Sequence, residues 1–121
     1  MARKVLLVED DDSIATALEF VLTRHGMECI RLSSGVGALP AIRRLGPDLV
    51  LLDVKLPGVS GYDICRELRG DPGLARVRVL MMTARGSAAE QRRALALGAD
   101  GFISKPFEMA ELKARIARLI G

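Results

Sequence analysis

Acidic side chains follow two apolar runs of this chain, and their type and placement suit the binding of a cation. Residues 4–8 (KVLLV) lead into Glu9 and Asp10. Residues 49–52 (LVLL) lead into Asp53. If the two runs are neighbouring strands of a parallel sheet, their carboxyl ends meet at one crevice and the carboxylates converge there. Carboxylates a few ångström apart raise each other's pKa, and a hard cation such as Mg²⁺ relieves that repulsion. The spacing therefore predicts a functional site.

Strand and helix patterns alternate along the chain, and this alternation predicts a parallel sheet that would bring the acids together at one edge. The predicted strands are short apolar runs, and the segments between them carry apolar residues at helical spacing. The strands cover residues 4–8, 28–32, 49–53, 77–82 and 102–104, and the helices that follow them end near residues 26, 45, 69, 97 and 121. This pattern predicts an α/β fold, a flavodoxin-like doubly wound (βα)5 domain with helices on both faces of a parallel sheet. The strand order 2-1-3-4-5 places the first and third strands side by side, as convergence of the acids requires.

Ser13 and Pro40 indicate where the first helix begins and how the second helix is interrupted. Ser13 precedes an apolar helical stripe and is a suitable N-cap for the first helix. Pro40 lies inside the second helical pattern, and proline in a helix interior costs about 3 kcal/mol because it removes a backbone donor and clashes with the preceding turn. We therefore expect the second helix to be short, kinked or late in starting.

The composition is typical of one domain in a reducing compartment. The chain has 121 residues, of which 50% are hydrophobic and 3% aromatic, so we expect a single domain over residues 1–121 with an aliphatic core. The net charge of +3 comes without a basic run, which argues against direct nucleic-acid binding by this chain. Cys29 and Cys65 are expected to be reduced thiols of a cytoplasmic protein, and no apolar stretch reaches membrane-spanning length.

Two further polar side chains stand where predicted strands end. Thr83 follows the fourth strand and Lys105 follows the fifth. Four stretches at strand ends are distinctive: VED, LLDVKLPG, MTAR and SKPF, at residues 8–10, 51–58, 82–85 and 104–107. In order and spacing they resemble the receiver domain of two-component response regulators, and the resemblance covers essentially the whole chain.

The resemblance implies a role for each acid. Asp53 would be the phosphoacceptor, a carboxylate nucleophile that forms an acyl phosphate. Asp10 would be a direct Mg²⁺ ligand beside Asp53, and the backbone carbonyl of Lys55 would be a further ligand. Glu9 would act through a metal-bound water. Mn²⁺ could replace Mg²⁺ in a site of this kind, because both ions accept carboxylate, carbonyl and water ligands.

The same resemblance assigns the other positions to phosphoryl transfer and switching. Lys105 and the cation would neutralise the phosphoryl charge, and the Lys105–Pro106 peptide bond is expected to be cis. Thr83 would turn its hydroxyl toward a phosphoryl oxygen, and Phe102 would then turn inward. The output surface would be the face of the fourth helix, fifth strand and fifth helix. The resemblance also allows a phosphorylation-dependent homodimer through that face. Gly101 argues against it, because such dimers often have a second acid at this position, so the oligomeric state is left undecided.

The implied partners are a histidine kinase or a histidine phosphotransfer protein, and a downstream effector protein or fused output domain. Two versions stay open: a stand-alone regulator, and the N-terminal receiver of a DNA-binding transcriptional regulator. In either version the domain phosphorylates and dephosphorylates only itself, so we expect no enzyme activity on an external substrate.

Three rival classes fit the residues less well. A phosphatase of the haloacid-dehalogenase type would have a second Asp two residues after the nucleophile, where this chain has Lys55. A flavin-binding electron carrier of the same fold would have a hydroxyl-rich phosphate loop after the first strand, where this chain has acids. A pure interaction module is disfavoured because the acids and Lys105 are all present.

Some charged residues near these positions have a plainer interpretation. Asp11 and Asp12 are expected to be solvated acids at the positive end of the first helix. His25 lies at the end of that helix, and a phosphocarrier role for it is disfavoured. Lys55 and Arg85 each lie two residues after a site residue. We hypothesise that these two cations screen an acyl phosphate and slow its hydrolysis.

Overall fold

Strands and helices alternate in the computed structural model, which describes residues 2–84 and 86–121. The strands are β1 Lys4–Val8, β2 Glu28–Leu32, β3 Leu49–Asp53, β4 Arg78–Thr83 and β5 Gly101–Ser104. The helices are α1 Asp12–Arg24, α2 Ala38–Leu45, α3 Gly61–Arg69, α4 Ala88–Ala96 and α5 Met109–Ile120. A short 3₁₀ turn, Pro72–Leu74, precedes β4.

The five strands form one parallel sheet in the order β2-β1-β3-β4-β5, which confirms the predicted topology. β1 lies between β2 and β3, and Val8 pairs with Leu32 on one side and Leu52 on the other. The carboxyl ends of β1 and β3 are therefore level. Glu9 follows Val8 and Asp53 follows Leu52, so the two acids emerge side by side.

Aliphatic side chains cover both faces of the sheet. Successive side chains of a strand point to opposite faces. Val50 and Leu52 accordingly pack in the cluster that includes α2, α3 and α4, whereas Leu49 and Leu51 pack in the cluster that includes α1 and α5. All five residues of β3 are buried. Burial on both faces explains why this strand is almost uniformly apolar until it reaches its terminal carboxylate.

Several predicted element ends differ by one or two residues: β4 ends at Thr83 and not at Met82, β5 begins at Gly101 and not at Phe102, and two further shifts have a clear local cause. The N-cap of α1 is Asp11 rather than Ser13, because Asp11 is extended and its Oδ1 accepts a hydrogen bond from the Ile14 N–H at 3.0 Å. β4 begins at Arg78 and not at Val77, because the Val77 N–H donates to a carbonyl of the 3₁₀ turn at 3.1 Å. Both shifts follow from a local hydrogen bond that competes with the expected one.

The second helix starts late, which is one of the alternatives that Pro40 left open. Gly37 precedes the helix with φ 85°, and Pro40 is its third residue. The first N–H groups of a helix have no intrahelical acceptor, so proline sacrifices no hydrogen bond at this position.

Cys65 is buried, Cys29 is half-buried, and both are free thiols. Within residues 2–84 and 86–121, no helix combines the length and the apolar character needed to cross a bilayer.

Candidate functional site

Three carboxylates meet at the carboxyl edge of the sheet, beyond β1 and β3. One oxygen from each of Glu9, Asp10 and Asp53 can be chosen so that all three lie within 4.8 Å of one another. Glu9 is fully enclosed, Asp53 is 6% exposed, and Asp10 is exposed. The cluster is therefore a buried pair of acids with a third acid at its mouth.

Both oxygens of the Asp53 carboxylate have a donor. Oδ1 accepts from the backbone N–H of Lys55 at 3.2 Å, and Oδ2 accepts from Lys105 Nζ at 2.9 Å. The first bond is local, because the two residues are only two positions apart in the sequence. The second crosses 52 residues of sequence and depends on the fold.

Lys105 reaches the cluster from the end of β5 and joins its two buried acids. Its Nζ donates to Glu9 Oε1 at 2.6 Å as well as to Asp53 Oδ2, while the lysine side chain keeps 15% of its exposure. Burial alone would lower the pKa of the ammonium, but the hydrogen bonds and charges of Glu9 and Asp53 outweigh it and raise the pKa. Lys105 is therefore held as a cation. The Lys105–Pro106 peptide bond is cis, as the resemblance implied.

Glu9 is held from several directions. Its Oε1 accepts from Lys105, and its Oε2 accepts from the backbone N–H of Asp11 at 3.1 Å. Burial raises the pKa of the Glu9 carboxyl, and the hydrogen bonds from Lys105 and Asp11 offset this rise only in part. Because Glu9 is fully enclosed and Asp10 is exposed at the mouth of the cluster, Glu9 is less available as a direct metal ligand than Asp10.

The four consecutive acids after β1 make different contacts. Glu9 pairs with Lys105, Asp11 caps α1, and Asp12 forms an ion pair with Arg31 at 2.9 Å. No hydrogen bond from the described residues reaches the Asp10 carboxylate. The acidic run is thus divided between one ion pair inside the site, two contacts at the helix start, and one carboxylate left facing the crevice.

Sequence reasoning did not identify Arg31, which contacts the same loop. Its Nε and Nη2 both donate to the main-chain carbonyl of Glu9, at 2.9 and 2.7 Å. A signal was present in the topology, because β2 neighbours β1 and Arg31 pairs with Leu7, two residues before Glu9. A cation at that register can reach the loop that follows β1.

Thr83 is buried at the end of β4, and its hydroxyl is directed to the fourth helix. Thr83 Oγ1 donates to Glu90 Oε2 at 3.2 Å. Glu90 also belongs to the cap of α4, since its backbone N–H donates to Ser87 Oγ at 3.1 Å and its Oε1 accepts from that hydroxyl at 3.3 Å. Glu90, which the sequence did not single out, connects the predicted switch residue to the start of α4.

Phe102 already packs inside the protein. It is 5% exposed and belongs to the core cluster that includes α4. The inward turn that was expected to follow phosphorylation is therefore present in this structure. Its backbone carbonyl accepts a hydrogen bond from Arg115 Nη1 at 2.7 Å, which ties β5 to α5.

A groove of about 490 Å³ opens beside the carboxylates. Asp10 and Lys55 line it together with Tyr62, whose ring lies under the guanidinium of Arg93 at 4.2 Å. The Lys55 side chain is exposed at this mouth. Arg85, the second cation of the screening hypothesis, lies outside the described residues.

The charges of the site do not balance. Three carboxylates and one ammonium leave two negative charges, which one divalent cation would neutralise. The donors are oxygens, and the open side is the one that Asp10 faces, so the residues fit a hard cation such as Mg²⁺.

The comparisons with known proteins agree with this geometry. The family model described as the response regulator receiver domain matches residues 5–117. The DNA-binding response regulator MtrA of Mycobacterium tuberculosis H37Rv is 45% identical over 120 residues, which are 98% of this chain and 51% of MtrA. The chain thus spans about half the length of the curated relatives it matches.

Two solved structures share the fold over nearly their whole length. The BeF3-activated N-terminal receiver domain of Klebsiella pneumoniae RstA has a TM-score of 0.91 and 34% identity, covering 98% of each chain. The receiver domain of the Pseudomonas aeruginosa sensor histidine kinase PA1611, with a magnesium ion coordinated in its active-site cleft, has a TM-score of 0.90 and 30% identity, covering 100% of this chain and 99% of that one. This chain belongs to the receiver-domain family of two-component response regulators.

Proposed function

We propose that Asp53 accepts a phosphoryl group from a histidine kinase or a histidine phosphotransfer protein. The observation that carries this proposal is the double contact of Lys105 with Glu9 and Asp53 at the mouth of a carboxylate cluster. Asp53 combines a fixed carboxylate with a neighbouring cation, which is the arrangement that phosphoryl transfer needs for positioning and charge neutralisation.

In the transfer, one carboxylate oxygen of Asp53 forms a bond to phosphorus. The bond between phosphorus and the donor's leaving group breaks at the same centre, and the leaving group departs with that electron pair. Lys105 then exchanges a carboxylate partner for a phosphoryl oxygen, and Thr83 turns its hydroxyl to a second one. Asp53, Thr83 and Lys105 all lie at the carboxyl ends of strands, at the same edge of the sheet.

A divalent cation fits the remaining negative charge. Asp10, Asp53 and the backbone carbonyl of Lys55 would hold it, and Glu9, which is fully enclosed behind the cluster, would act through a bound water. When bound, Mg²⁺ or Mn²⁺ supplies the positive charge that lets a phosphoryl group approach an acidic site. The magnesium ion in the receiver domain of PA1611 supports this assignment.

The domain modifies only itself in this proposal, and its product is a changed surface. In the resting state Thr83 donates to Glu90 at the start of α4. A phosphoryl group that takes the Thr83 hydroxyl removes that hydrogen bond and loosens the α4 cap, so the face of α4, β5 and α5 is the output surface. Since Phe102 is already buried, the release of Glu90 and not a Phe102 rotation carries the change.

The downstream partner is an effector protein or a fused output domain. The second version is favoured by one observation: MtrA is named as a DNA-binding response regulator, and the match covers 51% of its length. Asp100 is the acid that precedes Gly101, and it is bound within its own chain to Arg69 at 2.5 Å and to the Val79 N–H at 2.8 Å. A homodimer through the α4-β5-α5 face that used this acid would have to compete with these contacts.

The proposed function is tested by incubating the chain with Mg²⁺ and acetyl phosphate and measuring the intact mass. We expect a gain of one phosphoryl group that is lost in Asp53→Asn and in the presence of excess chelator. Asp63→Asn is the matched control, because Asp63 is an acid of α3 outside the carboxylate cluster, and its side chain is 47% exposed. No gain in the unmodified chain, or a gain that survives in Asp53→Asn, would overturn the proposal.

A further inference from the structure

Arg31 contacts the loop of the site acids without touching a carboxylate of the cluster. Its Nε and Nη2 donate to the main-chain carbonyl of Glu9 at 2.9 and 2.7 Å. Its Nη1 donates to Asp12 Oδ1 at 2.9 Å. One guanidinium thus bridges the end of β1 and the first turn of α1, on either side of Asp10.

The contact with the Glu9 carbonyl fixes the peptide group that carries Asp10. A peptide unit is planar, so the oxygen of Glu9 and the nitrogen and Cα of Asp10 lie in one plane. Two donors from a planar, forked guanidinium hold that plane from the β2 side. On the other side of the same residue, the Glu9 N–H donates to the Leu32 carbonyl at 3.0 Å. The backbone entering Asp10 is therefore fixed by β2.

Among the described residues, no hydrogen bond orients the Asp10 carboxylate itself, so its direction depends on this backbone. We propose that Arg31 is a positioning residue that aims Asp10 at the divalent cation. The inference rests on the proposed function, because it concerns the ligand that holds the cation for phosphoryl transfer. Partners that orient a metal ligand typically change metal affinity by about 10–100-fold when they are removed.

The ion pair with Asp12 does not explain the placement of Arg31. The Asp12 side chain is 89% exposed, and exposed ion pairs contribute about 0–1 kcal/mol. The Arg31 side chain is only 22% exposed. Two of its nitrogens, Nε and Nη2, donate to a single acceptor, the Glu9 carbonyl. Removal of the ion pair and removal of the carbonyl contacts can therefore be separated by mutation.

A positioning role and a purely electrostatic role of Arg31 predict changes of opposite sign in the Mg²⁺ affinity of the Arg31→Ala variant. Loss of a positive charge near an anionic site strengthens cation binding, because the repulsion between guanidinium and metal disappears. Loss of the backbone contacts weakens cation binding, because Asp10 is no longer held in place. The sign of the change in Mg²⁺ affinity thus distinguishes the two effects.

The test is isothermal titration of the chain with MgCl₂ in the absence of any phosphodonor. We expect Arg31→Ala to raise the Kd for Mg²⁺ by about tenfold or more. Arg31→Lys keeps the charge without the fork and should give a smaller rise. Asp12→Ala and Arg118→Ala, the latter removing an exposed cation of α5, should stay within about threefold of the unmodified chain because each alters one exposed charge.

A spectroscopic readout excludes a general loss of structure. In metal-free ¹H–¹⁵N spectra, the Asp10 amide should shift in Arg31→Ala and Arg31→Lys and stay in place in Arg118→Ala, while amides of β4 and β5 are unchanged in all three. An unchanged or lower Kd for Mg²⁺ in both Arg31 variants, or an unmoved Asp10 amide, would overturn the inference. If the unmodified chain is phosphorylated on Asp53 while these results are found, this inference alone fails. If the unmodified chain takes no phosphoryl group, the proposed function fails.

Discussion

Replacement of Lys105 by methionine should destabilise the protein by an amount that depends on pH and Mg²⁺. The substitution keeps an unbranched apolar stem and removes the ammonium that lies 2.6 Å from Glu9 Oε1 and 2.9 Å from Asp53 Oδ2. These two acids keep 0% and 8% of their side-chain exposure. In the variant they face each other without a cation.

The magnitude follows from the burial of the pair. Removing one partner of a buried ion pair typically costs about 3–5 kcal/mol. The Lys105 side chain remains 15% exposed at an open crevice, so solvent compensates in part and we expect a smaller cost than for a fully buried pair, about 2–3 kcal/mol. Unfolding entropies near 2.1 cal/mol/K per residue give about 0.25 kcal/mol/K for this chain, so Tm should fall by about 8–12 °C at neutral pH.

The sign of the pH dependence comes from Glu9. Burial already raises the pKa of the Glu9 carboxyl above its ordinary value of 4.5, and the Lys105 hydrogen bond opposes that rise. Without Lys105 the pKa rises further. A carboxyl with a raised pKa in the folded state loses stability as pH rises through the interval between its unfolded and folded values. The Tm deficit of the variant should therefore shrink as pH falls toward 5.

Thermal unfolding followed by circular dichroism measures all three effects. The assay compares Lys105→Met with the unmodified chain at about pH 8 and about pH 5, with and without excess MgCl₂. Mg²⁺ should raise the Tm of the variant more than that of the unmodified chain, since it replaces the missing positive charge. Lys113→Met, on the exposed side of α5, should change Tm little. A deficit that is the same at both pH values and insensitive to Mg²⁺ would refute the reasoning, because the lost stability would then not come from the unpaired charges of Glu9 and Asp53.

Three further predictions concern Gly61 beside the site, the Cys29 thiol and the buried Phe102. Gly61→Ala should lower Tm and slow phosphorylation, because its Cβ would overlap the backbone carbonyl at the end of β3, whereas Gly70→Ala has ordinary contacts and should be tolerated in both assays. Burial raises the pKa of Cys29 to about 11, so about one thiol in a thousand is ionised at pH 8 and alkylation should be far slower than in the urea-unfolded chain; equal rates would contradict the burial. Phe102→Ala should cost about 3–5 kcal/mol in urea unfolding, because Phe102 is 5% exposed, while Phe20→Ala, 61% exposed, should cost much less.

The sheet and the meeting of the acids could be predicted from the sequence because both follow from local patterns. A buried parallel strand such as β3 is nearly continuous in apolar residues, and its end is marked where Asp53 interrupts the run. The strand order then brings Glu9 beside Asp53 without any knowledge of side-chain contacts. The late start of α2 was likewise implied by the chemistry of Pro40.

The parts that were missed depend on contacts between distant segments or on a choice between equivalent local bonds. Asp11 and Ser13 are both good caps, and only the path of the chain after β1 decides between them. The contact between Arg31 and the Glu9 carbonyl joins residues 22 apart in sequence, and no periodicity encodes it. The inward orientation of Phe102 is a rotamer choice, which depends on the packing around β5 and α4.

The central claim, that Asp53 is the residue that becomes phosphorylated, is tested most directly by locating the acyl phosphate. The chain is incubated with Mg²⁺ and acetyl phosphate, reduced with borohydride, digested, and analysed by peptide mass spectrometry. Borohydride reduces an acyl phosphate of aspartate to homoserine and leaves free carboxylates unchanged. The account predicts homoserine at position 53 only when both Mg²⁺ and the donor were present. Homoserine at Asp10 or at another acid, or its absence from position 53, would contradict the account.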